Sequence, residues 1–585
     1  MKKKTNILFK FILKNLHWYT LGLATLLMVD YVNLLIPEFT GQIIDGLTNH
    51  FLNIEGIIQI LMAILISSFA ITVGRMLWRM FIFGASRKIE REIRNDLFSQ
   101  LETLSNRYFN THKTGDLMAH FTSDLEALRN ALGPAIVSSF DAIVMTLLTL
   151  YKMMIGVNMK LTLMTLIPMS TIAIGGYYFG EYVEKKFAQK QQAFASLSDY
   201  VQESITGARV IKAFCQEPIQ EETFSKVNRN SFHKNMGVVK TMATVFPLLE
   251  LVIGITYVIA LVYGGYLTMS AQISLGQFIA FNQYISMLIW PMIALGDAIT
   301  SFSQGRAAMG RILNVFKEES EIQEVQNPIS HKAQGHIKFR NVSFKYEDTL
   351  VIDNLNITIE KGETLAIVGR LGSGKSTVAS LLLRLYDPTS GNIYIDGHEL
   401  KTLALKPYRE SLAYVPQDSF LFSDTLENNL RFGLDEASRE DMINACKEAC
   451  IHENIMDFPN QYETMVGERG VTLSGGQKQR TSIARALIKN SSILILDDSL
   501  SAVDTDTEEN ILNNLKESRK DKTTIIIAHR ISTIMNAHHI LVLDEGKTIE
   551  YGTFSELMAL NGVFKEMYDK QQLEKQLNEG GSENG

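Results

Sequence analysis

"TLAIVGRLGSGKSTVASLLL" (residues 364–383) decides the fold of the second half of this chain. An apolar strand, 364–368, runs directly into a glycine-rich turn and then into a helix with apolar periodicity. That is the setting a phosphate-binding loop requires. Gly369, Gly372 and Gly374 let successive backbone N–H groups converge on phosphate oxygens at a helix N-terminus, where unpaired donors and the helix dipole both favour an anion. Lys375 is spaced to reach the β and γ phosphates and Ser376 to ligate Mg²⁺, with Ser373 and Thr377 in the same phosphate-facing set.

Working outward, the 585 residues divide into halves of opposite character, which a mean hydropathy of +0.04 conceals. From about residue 337 the pattern is that of an α/β protein; before about residue 303 it is a series of apolar stretches of bilayer length. Six spans are expected, near 16–36, 56–82, 132–156, 159–180, 243–268 and 276–302. The connections at 37–55 and 269–275 contain no Lys or Arg, whereas those at 83–131 and 181–242 carry many, among them Arg87, Lys88, Arg91, Lys185, Lys186 and Lys212. The positive-inside rule then places the long loops, the N-terminus and the second half in the cytoplasm. The basic start, "MKKKTNILFKFILKNLHWY", lacks a small-residue cleavage site and reads as an amphipathic entry helix. A net charge of −7 gives no reason to expect nucleic acid. Cys215, Cys446 and Cys450 fall in cytoplasmic segments and read as small buried side chains.

The two long loops read as helical continuations of the spans. "KTGDLMAHFTSDLEAL" (113–128) and "VQESITGARVIKAFCQE" (201–217) each carry a glycine before an amphipathic run, as a turn onto a short cross-helix needs. The polar stretch 317–336, with its Pro and Gly punctuation, reads as a linker.

Downstream of the phosphate loop, "YVPQDSFLF", "LSGGQKQR", "ILILDDSLSAVD" and "IIIAHR" follow in that order. Five ordered motifs behind six spans resemble a half-transporter of the ATP-binding cassette (ABC) exporter family, and the resemblance covers essentially the whole chain. It implies a multi-domain protein: a six-helix transmembrane domain with two coupling loops (1–316), the linker (317–336), an α/β P-loop nucleotide-binding domain (337–575) and a polar tail (576–585). It implies an ATPase coupled to transport. By the same resemblance Tyr346 stacks on adenine, Gln417 meets Mg²⁺ and the attacking water, Asp497 holds Mg²⁺ through water, and His529 contacts the γ-phosphate. Ser474, Gly475, Gly476 and Gln477 form the signature that faces the ATP of an opposite cassette, so two cassettes must sandwich two nucleotides head to tail.

One position departs from the family. After the metal-side aspartate the family normally has Glu, which orients and deprotonates the attacking water; here it is Asp498. Its side chain is one methylene shorter, roughly 1 to 1.5 Å less reach, and a misplacement of about 1 Å costs on the order of a hundredfold in rate. The resemblance implies a heterodimer in which this chain supplies the impaired ATP site and an intact signature to a partner half-transporter with Glu; a homodimer working with Asp is the alternative.

Charged residues inside spans are costly and face a cavity or a partner. Asp141, Glu250 and Asp297, with Arg75 and Arg79 at similar depth, read either as a cavity for amphipathic cations or as interhelical ion pairs. The substrate class implied is hydrophobic or amphipathic, drugs being the family default; a lipid or peptide exporter has the same architecture, although no N-terminal peptidase domain precedes the first span. An ATP-gated channel or receptor is the reading from a different class, and six spans exclude a cytosolic cassette protein acting on ribosomes or DNA.

Overall fold

The computed structural model describes residues 6–582 apart from 468–469, 471–472 and 529. It forms two compact units: residues 1–103 with 112–319, and residues 104–111 with 320–585.

The first unit is helical. Among the described residues five segments are long and apolar enough to cross a membrane: Leu16–Thr48, Ile54–Thr103, Thr114–Gly156, Glu217–Met269 and Leu275–Lys317. The remaining expected span, 159–180, falls in the helix Met159–Thr206, where the side chains of 172–181 lie outside the described set. The count of spans therefore stands at five here, against the six expected. At 50 residues the helix Ile54–Thr103 is some 75 Å long, far more than the ~20 residues a bilayer needs. Its most apolar window is only 11% buried within the chain, and so is that of Glu217–Met269. Side chains such as Leu65, Phe69, Leu251 and Val262 point outward from it. Water would penalise such a surface; lipid or a partner chain accepts it.

Beyond the bilayer-length part, the same helices keep a packed seam. Ile82, Ile89, Ile93 and Leu97 recur on one face of Ile54–Thr103 and bury against Leu125, Leu128, Leu132 and Ile312. This corrects the reading of 113–128 as a turn onto a cross-helix. Thr114–Ala119, one π-wound turn at His120–Asp124, and Leu125–Leu132 instead make a core helix of the first unit, because Leu117 is buried and Leu125, Leu128 and Leu132 belong to that seam. Asp124 is buried within it, where Arg311 donates from Nε (3.1 Å) and Nη2 (2.5 Å) and His120 Nδ1 lies at 2.7 Å. The short helix of the first loop is earlier, Asn106–Thr111, and groups with the second unit. In the second loop Gly207 does precede a short helix, Ala208–Ala213, which buries none of its side chains within the unit.

The charged side chains of the spans separate. Asp141 is half-buried, whereas Glu250, Asp297, Arg75 and Arg79 are exposed in the single chain. Arg79 lies over the Trp78 ring at 5.4 Å.

The second unit holds two sheets. β1 (Ile337–Tyr346), β2 (Thr349–Ile359), β4 (Ser390–Ile395) and β5 (His398–Glu399) form an antiparallel sheet in the order β2-β1-β4-β5. The larger sheet has the order β10-β9-β3-β8-β7-β6, from β3 (Thr364–Gly369), β6 (Leu412–Val415), β7 (Ile493–Asp497), β8 (Thr523–Ile527), β9 (His539–Asp544) and β10 (Lys547–Gly552). Five of its strands are parallel, and only the edge strand β10 runs against its neighbour. β7 and β8 are buried at every residue, as a parallel sheet covered on both faces requires. Residues 320–336, read as a linker, are tied to this unit. Ala333 N donates to Ser411 Oγ, Gln334 N and His336 N donate to the Asp396 carboxylate, and His331 Nε2 lies 2.7 Å from it. These bonds hold the Asp396 carboxyl below the usual carboxylate range despite its burial.

We expect Asp124→Ala to cost the first unit about 2 kcal/mol, since two charge-assisted partners lose their acceptor. Thermal unfolding of the detergent-solubilised protein checks this; a midpoint unchanged from wild type would mean the Arg311 contact contributes nothing.

Candidate functional site

The site grows from the C-terminal ends of β3 and β7. β3 feeds a loop in which Gly372 and Gly374 have φ of +81° and +95°, the left-handed region that costs glycine nothing. At Gly369 the constraint is space: a Cβ there would lie 2.0 Å from the Leu543 carbonyl oxygen. The loop closes onto the helix Lys375–Leu382. Lys375 is 6% exposed, and its Nζ donates to the carbonyls of Gly369 and Arg370, both at 2.9 Å. Burial lowers the Lys375 ammonium below its ordinary pKa, and the nearby charges of Asp498 and Asp497 partly oppose this.

β7 delivers the carboxylates. Asp497, its last residue, is 2% exposed; Ser376 Oγ donates to Oδ1 at 2.9 Å and Tyr414 Oη to Oδ2 at 3.3 Å. Burial pushes its carboxyl above the usual range, and the Ser376 and Tyr414 hydrogen bonds pull it partly back. Asp498 turns out of the strand with φ +46°, a region that a short carboxylate tolerates better than most side chains. Its N–H donates to Ile527 O at 2.8 Å, and Gln417 Nε2 donates to its Oδ2 over a long 3.4 Å. Gly372, Gly374, Lys375, Ser376, Thr377, Gln417, Asp497 and Asp498 line one cleft of about 290 Å³, closed by Val351, Leu371 and Ile527.

Other expected residues sit elsewhere. Ser373 is buried, with its hydroxyl 2.7 Å from where a Cβ on Gly369 would lie. Tyr346 is edge-on to Phe344 (4.8 Å) and Tyr386 (5.2 Å) and does not line the cleft. Ser474, Gly475, Gly476 and Gln477 begin the helix Gly475–Ile488 and are absent from the cleft wall. There Ser474 Oγ accepts from Gln477 N (3.3 Å) while Ser474 N donates to Gln477 Oε1 (3.0 Å), a reciprocal capping box. Gly476 has no room for a side chain, since a Cβ would meet Ala502 O at 2.8 Å. His529 lies outside the described residues.

Two contributors carried no role in the sequence reading. Tyr414, on β6 beside β7, supplies the second donor to Asp497; its place three residues before Gln417 on a strand was the available signal. Tyr386 backs Tyr346, and its Oη accepts from Asn106 (3.4 Å) and Asn110 (3.0 Å), all within the second unit.

This arrangement suits a nucleotide with its metal. Among the described residues no group of three His, Cys, Asp or Glu side chains is set to hold a metal by itself. A hydroxyl and a carboxylate 2.9 Å apart beside an ammonium are what a Mg²⁺ completed by phosphate oxygens would use.

Comparison with known proteins agrees. Residues 19–292 match the family model for the ABC transporter transmembrane region, and residues 352–501 that for the ABC transporter. The chain is 36% identical over 572 residues to a Bacillus subtilis protein described as a probable multidrug resistance ABC transporter ATP-binding/permease protein, covering 96% of this chain and 98% of that one. It is 33% identical over 490 residues to an ATP-dependent lipid A-core flippase of Syntrophus aciditrophicus, covering 83% and 81%. A solved bacterial Atm1-family ABC exporter with ATP bound superposes with a TM-score of 0.78 at 27% identity, covering 97% of this chain and 99% of that one. With a membrane unit and a nucleotide unit matched in one polypeptide, this chain belongs to the ABC transporter family and is an ATPase coupled to transport.

Proposed function

We propose that the chain is one half of an exporter that moves hydrophobic or amphipathic, drug-like compounds out across the cytoplasmic membrane. In this reading it has six spans, with its N-terminus and nucleotide unit in the cytoplasm, and it works as a heterodimer in which it contributes the impaired ATP site. The observation that carries the heterodimer is Asp498: the one carboxylate placed to act on water at the γ-phosphate is the shorter acid, held to Gln417 only at 3.4 Å. Supporting it, the signature helix start lies away from the Lys375 cleft, as a motif serving another chain's nucleotide would.

In this reading the roles are those that the family resemblance implies for these positions. Lys375, freed from its two loop carbonyls, neutralises phosphate charge, and the loop N–H groups bind the remaining oxygens. Ser376 and Asp497, with Gln417, would hold Mg²⁺, which would supply charge neutralisation for the phosphates when bound. Tyr346 stacks on the base, Gln417 and His529 reach toward the γ-phosphate, and Asp498 orients water poorly. Ser474, Gly475, Gly476 and Gln477 complete the partner's site. Lipid export is the second reading, favoured by the flippase among the relatives.

Lys375→Ala is expected to weaken photoreactive ATP-analogue labelling of this chain at least tenfold, since an ammonium facing two phosphates is worth more than about 1.4 kcal/mol. Labelling at the wild-type level would remove this cleft as the nucleotide site.

The heterodimer reading makes an asymmetric prediction. Asp498→Asn should leave most of the purified complex's ATPase activity, whereas Gly475→Asp, which puts a carboxylate where a phosphate belongs, should lower it on the order of a hundredfold. Equal loss from both substitutions would falsify the impaired-site assignment and favour a homodimer in which Asp498 works.

A further inference from the structure

The nucleotide cleft lies at the C-terminal ends of the parallel strands; the opposite edge of the same sheet carries a second cavity. It sits at the N-terminal ends of β3 and β8, under the helix Thr505–Ser518, with a volume of about 190 Å³. The two cavities share no lining residue.

Three cations line this cavity, Lys516, Arg519 and Lys520, and no carboxylate does. Arg519 is 7% exposed, yet neutral acceptors alone hold its guanidinium: Nε donates to Thr524 Oγ1, Nη1 to Ser491 O and Nη2 to Thr523 O, each at 3.1 Å. Among the described residues no carboxylate pairs with it or with either lysine, and Glu448 acts on it only from beyond ion-pair reach. A buried charge without a counter-ion is costly, so an anion here would be stabilised.

The other polar groups suit the same sign of charge. His538 Nδ1 accepts the Thr364 N–H at 3.0 Å, so the neutral ring carries its hydrogen on Nε2, and Asn513 and Asn536 each offer an amide donor. Leu512, Leu515 and Ile526 add an apolar wall.

Cations at a helix C-terminus also answer the helix dipole, and Lys516 lies in the last turn of Thr505–Ser518. That dipole amounts to about half a negative charge, against three full positive charges here. The Arg519 side chain, moreover, donates to β8 and Ser491 rather than to the carbonyls of that helix. A carboxylate would leave most of this charge unmatched, whereas a phosphate monoester brings about two negative charges and three acceptor oxygens.

We propose that this cavity binds a phosphate monoester with a small apolar group, separately from the nucleotide cleft. The site does not rest on the cargo or direction of transport.

The test follows para-fluorophenyl phosphate by fluorine NMR against the full chain, with any co-purifying partner, in lipid nanodiscs, empty nanodiscs giving the baseline. Saturable binding is expected in the wild type and in Lys375→Ala. It should weaken about tenfold in Asn536→Asp, which puts a carboxylate in the wall at unchanged volume, and in the combined Lys516→Gln and Lys520→Gln variant. All three side chains are exposed, and retained ATPase activity shows that each variant is folded. Para-fluorobenzoate should bind more weakly and para-fluorobenzylamine not at all. Absence of saturable binding, unchanged affinity in either variant, or loss of binding in Lys375→Ala would overturn the site; benzoate binding as tightly as the phosphate would overturn the ligand class.

Discussion

The hydrogen bond from Ser376 to Asp497 is the constraint on which the nucleotide unit turns. It joins the helix that follows β3 to the tip of β7, across the intervening β8, and it gives a carboxylate buried to 2% one of its two donors. A buried carboxylate without donors would be forced to neutralise, and Ser376 and Tyr414 supply the donors that oppose this at Asp497, as the proposed metal-side role requires. The register of three parallel strands sets the distance, with β7 apolar at every position before the acid and β8 buried along its whole length. Apolar burial of the sheet and chemistry at its edge are one arrangement, in keeping with the general placement of ligands beyond the carboxyl ends of parallel strands.

How legible this was in the sequence depended on whether the cause was local. The loop from Gly369 to Thr377 could be read because its glycines, lysine and hydroxyls act within one turn of backbone. Tyr414 could not be given a role, because its partner Asp497 is 83 positions away and only strand pairing brings them together. The short helix of the first loop was placed too late because only the stretch at 113–128 of that loop showed a glycine before an amphipathic run. What separates the two stretches is tertiary: Leu125, Leu128 and Leu132 had a buried seam to enter and the stretch at 106–111 did not.

The membrane unit shows a different balance. Its long helices satisfy their own backbone polar groups, so the outward face is free to be apolar, and the side chains of Ile54–Thr103 and Glu217–Met269 exploit that freedom. Buried packing runs through the spans and continues beyond them, in the seam of Ile89, Ile93 and Leu97 and in the Asp124–Arg311 pair.

The capping box at Ser474 has a consequence for recognition. A hydroxyl has two lone pairs and one hydrogen, and here the oxygen is committed to the Gln477 amide at the helix start. The hydrogen stays unassigned and can point away from the helix, toward whatever docks there. If the proposed role holds, folding and recognition would draw on opposite ends of a single O–H group, and the helix start would be formed before an anion arrived, with no ordering cost left to be met at the moment of contact. Affinity at this surface is in that sense a matter of rigid-body fit, and replacing the serine removes a piece of architecture along with a donor.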